Sequence, residues 1–187
     1  MKTPHLTVTT YTGKHFNPVE PDVEKIDIRD ISHALSMTCR GNGHVKTYFS
    51  VGQHCINCAR EAEKRGYPAR VILACLLHDA GEAYMSDVPR PLKPFMPQYV
   101  EAEERLLRVI YGKYLGEALS REEEKMVREI DDDLLYYDMK ELFGEILNRE
   151  APELNINLDY TVVPFEQVEH TYLELFERWT TKENHFE

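Results

Sequence analysis

The feature that most constrains the fold is a run of seven apolar residues, VILACLL, at positions 71–77. A helix that is apolar on every side has no face to offer to water, so the sequence predicts a central buried helix over about residues 69–78. His78 and Asp79 follow this run directly. Burying ionisable side chains is costly unless partners or a metal ion satisfy them, so the pair is either a candidate site or a helix end at the surface.

Further helical patterns surround this segment. Ile31 and Leu35 share one face of a short helix, and Ser50 is a suitable N-cap for the next helix. Ser120 and Glu123 form a capping-box pattern, and the apolar stripe of the last helix repeats every three to four residues. We therefore expect an all-α bundle of about six helices, at approximately residues 30–40, 50–65, 69–78, 98–114, 120–147 and 164–181.

Two segments do not follow a helical pattern. Residues 1–29 are rich in Thr, Pro and Gly, and the β-branched residues 8–10 predict a short strand or β-hairpin in an arm laid on the domain. Residues 86–97, SDVPRPLKPFMP, hold four prolines and cannot form a regular helix. We expect one domain over residues 1–187, with the arm at 1–29, a metal-binding helical core at 30–148 and a packing helix at 164–181.

Charge and composition exclude several classes of function. The chain has 33 acidic and 22 basic residues and a net charge of −11. Nucleic acids and anionic membranes attract basic surfaces, so we expect neither a polynucleotide nor a membrane as a partner. The sequence shows neither the apolar segment of a signal peptide nor a membrane span. Its four cysteines therefore indicate reduced thiols in a cytoplasmic protein.

Two histidines and two aspartates on three predicted helices make a candidate metal site. His54 lies one turn into the second helix, and Asp131 is the member of the DDD triplet on the apolar face of its helix. With His78 and Asp79 they form a nitrogen and oxygen set that suits one divalent ion: Mn, Co, Fe, Ni, Zn or Mg. Taken singly, His54 could bond to a backbone carbonyl, and the DDD triplet could be a solvated face.

Two further acids follow the His-Asp pair, at Glu82 and Asp87. Beside a metal ion, two carboxyl groups can act as general base and general acid. Without a metal ion, the same residues would be ordinary surface acids. They lead directly into the proline-rich segment, and loops of this kind often carry function.

Cys55 and Cys58 have the C-x-x-C spacing of zinc and redox motifs. No second cysteine pair follows them, and they lie within a predicted helix rather than after a strand. We therefore interpret both as small packing residues.

The order of His54, His78-Asp79 and Asp131 resembles the H…HD…D signature of the HD-domain metal-dependent phosphohydrolases. The run HDAGEAYMSDVPRPLK, residues 78–93, is more specific. It is similar to the HD-x-x-E-x-x-x-x-D-x-P-x-P-x-K segment of bacterial 5′-deoxynucleotidases and phage-type nucleotide phosphohydrolases. The preceding segment DIRDISHALSMTCRGNGHVKTYFSVGQHC resembles that of the phage-type members. The resemblance covers about residues 11–145 and implies an HD-domain helical bundle.

This resemblance implies a role for each candidate residue. It makes His54, His78, Asp79 and Asp131 the ligands of one metal ion, Glu82 and Asp87 the pair that activates water and transfers protons, and Arg40 and Lys93 the basic residues near the phosphate. Members with two metals generally use extra histidines between the His-Asp pair and the last aspartate, and this sequence has none between Asp79 and Asp131. The deoxynucleotidases carry a tryptophan after the arginine that helps to reject a ribose 2′-OH, whereas this chain has Gly41.

These features predict an enzyme that hydrolyses (deoxy)nucleoside 5′-monophosphates to nucleoside and phosphate. The same ligands would support a deoxynucleoside triphosphate triphosphohydrolase, for which Arg90 and Arg121 offer additional positive charge. An HD module that binds a nucleotide or a protein without catalysis is the alternative of a different class. The expected partner is thus a nucleotide, and exposed Tyr and Leu residues on the terminal helices are compatible with a homodimer.

Overall fold

Seven α-helices and one short β-hairpin make up the chain over residues 7–183, which the computed structural model describes. In chain order the elements are β1 (Val8–Thr9), β2 (His15–Phe16), α1 (Ile28–Met37), α2 (Val51–Lys64), α3 (Ala69–Leu77), α4 (Glu82–Met85), α5 (Pro97–Leu115), α6 (Arg121–Asp138) and α7 (Phe165–Glu183). The expected all-α fold with a β-hairpin arm is confirmed. The short helix α4 is an addition that the sequence patterns did not predict.

Helix α3 lies at the centre of the core, as its apolar run predicts. All seven residues at 71–77 are buried. The helix packs against α2, α5, α6 and α7, so its whole circumference is covered by other helices. None of the described helices combines the length and the apolar character that a membrane crossing requires.

The N-terminal hairpin is anchored to the helical core at two points. Phe16 in β2 is fully buried, and its ring packs on that of Tyr84 with centroids 4.4 Å apart. In the hairpin turn, the backbone N–H and the hydroxyl of Thr12 donate to the two carboxylate oxygens of buried Asp30 at 2.6 and 3.0 Å. The expected arm laid on the domain is therefore present over its described residues.

The start of α2 is positioned by a capping box and by a close helix contact. Ser50 and Gln53 exchange the side-chain and backbone hydrogen bonds of the box. Gly52 lies so close to α1 and α7 that a Cβ there would meet Val168 Cγ1 at 3.0 Å and the Leu35 carbonyl at 3.2 Å. This close contact places the first turn of α2 in the core, where His54 is fully buried.

Helix α6 ends earlier than the sequence predicts. The capping box at Ser120 is present, but α6 stops at Asp138 instead of continuing to about residue 147. A single π-helical turn follows at Met139–Phe143, and Gly144 ends it in the left-handed region with φ 74°. Single π turns widen the backbone and are frequent at functional sites. Here the turn presents Phe143 beside the site described below.

Helix α7 covers the core through its contacts with α1, α2 and α3. Its predicted apolar stripe, Val168, Tyr172, Leu175 and Trp179, is buried. The Tyr172 hydroxyl donates to the carbonyl oxygen of Leu76 in α3 at 2.6 Å, so the polar end of this buried ring is satisfied.

The segment between α6 and α7 is held by one buried carboxylate, that of Glu61 in α2. Glu61 accepts hydrogen bonds from the Asn155 backbone and side-chain amides and from the Ile156 N–H, at 2.9 to 3.1 Å. Arg65 adds an ion pair at 2.8 Å. Because the carboxylate is fully buried, its removal leaves several donors without an acceptor.

We predict that Glu61→Ala lowers the free energy of unfolding by about 3 kcal/mol, because it breaks a buried, hydrogen-bonded ion pair. Urea unfolding followed by circular dichroism measures the change. Glu101→Ala is the matched control, since Glu101 pairs with Arg105 at an exposed position and such pairs contribute less than about 1 kcal/mol. Equal effects of the two substitutions would contradict the assigned role of Glu61.

Candidate metal centre

The four predicted metal ligands converge at the C-terminal end of α3. His54 comes from α2, His78 and Asp79 follow α3, and Asp131 comes from α6. His54 Nε2 lies 3.0 Å from Asp131 Oδ1. His78 Nε2 lies 3.2 Å from Asp79 Oδ2 and 3.7 Å from Asp131 Oδ1. Donor atoms held about 3 to 4 Å apart are spaced as ligands of a single ion with bonds of about 2 Å.

Each imidazole is held from behind by a hydrogen bond at its other nitrogen. Nδ1 of His54 lies 3.0 Å from Asp138 Oδ2, and Nδ1 of His78 lies 2.8 Å from the carbonyl oxygen of Cys75. Histidines that bind metals usually donate their second N–H to a carboxylate or carbonyl in this way. Both rings consequently present Nε2 to the same space.

Asp138 is a site residue that sequence reasoning missed. Its buried carboxylate contacts His54, and it also accepts hydrogen bonds from Arg40 Nη2 at 3.2 Å and from the Tyr160 hydroxyl at 3.0 Å. It lies seven residues after Asp131 in α6, and residues with this spacing share one helix face. That spacing is the signal that identifies it.

Two buried polar atoms at this end of α3 have no hydrogen-bond partner among the described residues: His78 Nε2 and Glu82 Oε2. A buried polar atom without a partner costs about 1–3 kcal/mol. His78 Nε2 lies 3.2 Å from the Asp79 carboxylate without forming a hydrogen bond to it. A metal ion between His78 Nε2 and the Asp79 carboxylate could bind to both, so the residues present fit a metal ion.

Arg40 is the buried cation of this cluster. Its Nη1 lies 3.5 Å from Asp79 Oδ2 and its Nη2 lies 3.2 Å from Asp138 Oδ2. Burial would lower the pKa of Arg40, but Asp138 and Asp79 outweigh it and raise that pKa above its usual value. Burial likewise opposes ionisation of Asp79, yet the adjacent His78 dominates and lowers the Asp79 pKa to about 2. The carboxylates therefore remain charged at neutral pH.

The same carboxylates act on the two imidazoles. Burial opposes protonation of both rings, but Asp131 and Asp138 raise the pKa of His54 well above its usual value. Asp79 and Asp131 do the same for the pKa of His78. In metal-free protein both rings therefore hold an extra proton near neutral pH. Metal binding needs neutral imidazoles and would displace these protons.

A cavity of about 670 Å³ opens onto this cluster. Asp79, Asp131 and Arg40 line it together with the two predicted acids, Glu82 and Asp87. Burial and the neighbouring charges of Asp79 and Asp87 raise the pKa of Glu82 to about 9. The Glu82 carboxyl is therefore protonated at neutral pH in the metal-free protein.

A strained residue separates the two acids. Ser86 has φ 74° and ψ 157°, a conformation that residues other than glycine adopt at a cost of about 1–3 kcal/mol. Two hydrogen bonds hold it: its N–H donates to the Glu82 carbonyl at 2.9 Å, and the Tyr99 hydroxyl donates to its carbonyl at 2.8 Å. The turn brings Asp87 to the cavity wall.

Two basic residues of the proline-rich segment also line the cavity. Lys93 pairs with Glu103 in α5 at 2.7 Å, so its ammonium group has an acidic partner beside the site. Arg90 is mostly exposed and binds Asp131 at 2.6 Å and Asp132 at 3.0 Å. Arg90 therefore contacts a predicted metal ligand directly.

Apolar side chains also line the cavity, and Phe143 is one of them. The Phe143 ring packs on Gly41, where a Cβ would lie only 2.3 Å from Phe143 Cζ. Gly41 also has φ 56°, which favours glycine. The close Phe143 ring and the positive φ angle thus both favour glycine at position 41, directly after Arg40. The sequence reasoning did not identify Phe143.

No protein-family model matches the sequence. Over 107 residues the chain is 38% identical to the uncharacterized protein YfdR of Escherichia coli K12, and the match covers 57% of each chain. Over 109 residues it is 31% identical to an uncharacterized protein of Rhodobacter capsulatus, and this match covers 55% of each chain. The matched regions thus span a little over half the length of these curated relatives, and neither relative's name states an activity.

We predict that Glu82→Gln stabilises the metal-free protein increasingly as pH rises. Its carboxyl titrates at about 9 in the folded protein and at the usual 4.5 when exposed. The wild type therefore loses stability between these values, because only the unfolded chain ionises there. The difference in unfolding free energy between variant and wild type should widen by up to about 1.4 kcal/mol per pH unit.

Urea unfolding between pH 5 and 8.5, with a chelator present, measures this difference. Glu122→Gln, an exposed acid of α6, is the control and should show a constant offset from the wild type. A constant offset for Glu82→Gln as well would show that the Glu82 carboxyl is already ionised in the folded protein.

Proposed function

We propose that the protein is an HD-type metal-dependent phosphohydrolase that cleaves (deoxy)nucleoside 5′-monophosphates to nucleoside and phosphate. The observation that carries the proposal is one constellation beside the cavity. Two imidazole nitrogens and two aspartate carboxylates meet there, next to the Glu82 carboxyl, which holds its proton at neutral pH in the metal-free protein. The sequence motif over residues 78–93 supports the same assignment.

His54, His78, Asp79 and Asp131 would hold the metal ion, with Asp138 and the Cys75 carbonyl orienting the two rings. A bound divalent ion polarises a phosphoryl oxygen and lowers the pKa of a bound water. Asp79 and Asp131 line the cavity, whereas His54 is fully buried, so a phosphate would approach from the carboxylate side.

Glu82 and Asp87 divide the proton transfers in this proposal. The Glu82 carboxyl, whose burial favours the protonated form, would donate a proton to the leaving nucleoside oxygen. Asp87 orients the attacking water and accepts its proton. Two acids with different environments commonly separate into acid and base in this manner.

Positive charge must offset the charge that develops on the phosphoryl oxygens. Arg40 is buried, and its two carboxylate contacts fix its position at the cavity wall. Lys93 and Arg90 line the cavity on the side of the proline-rich segment. A phosphate could take the place of Asp132, the more exposed carboxylate partner of Arg90.

The apolar lining of the cavity suits the nucleoside. Phe143 offers a flat ring, and Leu135, Met139 and Leu147 line the same cavity. With the phosphate at the metal, a nucleobase could stack on Phe143. Such stacking contributes about 1–3 kcal/mol per base.

Deoxynucleoside triphosphate hydrolysis is the second candidate, and Arg90 favours it. This guanidinium lies 2.6 Å from Asp131 but is mostly exposed, so it could bind a phosphate beyond the one at the metal. Product analysis separates the two activities, because the first releases inorganic phosphate from a monophosphate and the second releases tripolyphosphate.

We predict that purified protein with Mn²⁺ or Co²⁺ releases phosphate from (deoxy)nucleoside monophosphates. Asp79→Ala should lose both bound metal and activity. Glu82→Gln should retain the metal and lower kcat by about 10²- to 10⁴-fold, because it removes only the proton donor. Phosphate release and metal content are measured on the same samples, with Glu122→Gln as the control.

Each other outcome is informative. Tripolyphosphate release from deoxynucleoside triphosphates would favour the second candidate. Wild-type protein that binds nucleotide without turnover, with binding unchanged in Asp79→Ala, would favour a non-catalytic HD module. A metal-loaded protein that hydrolyses no nucleoside mono-, di- or triphosphate would falsify the proposal.

We predict that Phe143→Ala raises KM for a nucleoside monophosphate by about tenfold, since it removes a stacking surface worth about 1–3 kcal/mol. KM for ribose 5-phosphate, which lacks a base, should stay the same. A loss that is equal for both substrates would mean that Phe143 supports the structure of the site and does not contact the base.

A further inference from the structure

The C-x-x-C pair, which the sequence suggests to be packing residues, lies beside the candidate metal centre. Cys58 follows His54 by one turn of α2 and is 1% exposed. Its Sγ lies 3.4 Å from His54 Nε2, the nitrogen that faces the other ligands. Donor atoms of Cys58, His54 and His78 all lie within 4.8 Å of one another. The thiol therefore lies close to the candidate donors of the site.

Hydrogen bonding alone does not account for this arrangement. His54 Nε2 has Asp131 Oδ1 at 3.0 Å and Cys58 Sγ at 3.4 Å. An imidazole nitrogen offers one hydrogen or one lone pair, so it makes one good hydrogen bond. A metal ion bound to all three atoms would remove the conflict.

The distances agree with ligands of a common ion. Bonds of about 2.0–2.1 Å to nitrogen and about 2.3 Å to sulfur place these atoms about 3.5 Å apart at a tetrahedral angle and about 3.1 Å apart at a right angle. The observed 3.4 Å falls between these values. His78 Nε2, buried and without a hydrogen-bond partner, is a second and independent sign of a ligand at this point.

We propose that Cys58 is a further ligand of the metal centre and that it makes the centre select zinc over magnesium and manganese. Thiolates bind zinc and similar ions well, whereas carboxylates and water suit magnesium and manganese. The inference rests on the metal site of the proposed function. It concerns ion binding alone, so it can be tested without any turnover.

The first test is spectroscopic and uses the purified full chain with Co²⁺ or Cd²⁺ as the probe. The wild type should develop a sulfur-to-metal charge-transfer band at one ion per chain. Cys58→Ser should lose this band, and Cys39→Ser, which changes a thiol outside the donor groups, should retain it. Cys58→Ala is a second variant, and circular dichroism verifies that each variant is folded.

The second test is calorimetric titration with Zn²⁺ and with Mn²⁺. Cys58→Ser should weaken Zn²⁺ binding by at least about tenfold, because even outer contacts of a metal ligand contribute about 10- to 100-fold. Binding of Mn²⁺ should change by less than about threefold, since it depends on the oxygen ligands.

Several results would overturn the inference. A wild-type protein that binds one Co²⁺ without the band has a centre of nitrogen and oxygen ligands only, and the proposed hydrolase would stand. A band that persists in Cys58→Ser but disappears in Cys55→Ser would assign the thiol to Cys55, which lies near His78 and Asp79. A chain that binds none of these ions would remove the metal site and the proposed function together.

Discussion

The buried charge at the end of α3 is the constraint on which the site depends. Asp79, Asp131 and Asp138 are ionised there, and Arg40 is the buried cation that faces them. With neutral imidazoles, two negative charges would lack a buried counterion. Such a charge is costly in a protein interior. In the metal-free protein, the raised pKa values of the two histidines favour positively charged imidazolium rings, which offset these negative charges. One divalent metal ion would supply the same positive charge, so the two rings could lose their extra protons and bind that ion.

The helical core serves this arrangement by bringing three helix segments to one point. Helix α3 is apolar on all sides, so other helices cover it and its polar end must lie among them. Gly52 allows α2 to enter deeply, and the bond between His54 and Asp138 joins α2 to α6. The strained conformation at Ser86 is tolerated because hydrogen bonds hold it on both sides.

Local signals predict the helices and the positions of the four candidate ligands, since both depend on short patterns. The apolar run, the caps at Ser50 and Ser120 and the stripe of α7 each indicate an element that the structure contains. The seven-residue spacing from Asp131 also indicates Asp138, whereas the positions of Phe143 and Cys58 beside the site depend on how α2, α6 and the π turn pack together. The sequence pattern does not predict the early end of α6, because a π turn at Met139–Phe143 interrupts a helical pattern and Gly144 then ends that turn.

The candidate metal donors differ in burial. In our proposals, the buried donors would determine which ion binds, and the partly exposed donors would face the substrate. His54 and Cys58 are almost completely buried on the side of α2, and neither lines the cavity. The side chains of Asp79 and Asp131 are 18% and 17% exposed, and both do line it. An open coordination position would therefore lie on the carboxylate side, where a phosphate can reach it. The thiol would influence which ion binds from the opposite side. In this arrangement a protein of net charge −11 could bind a small anion, because a metal cation and Arg40 would offset the acids locally, while the surface elsewhere stays acidic.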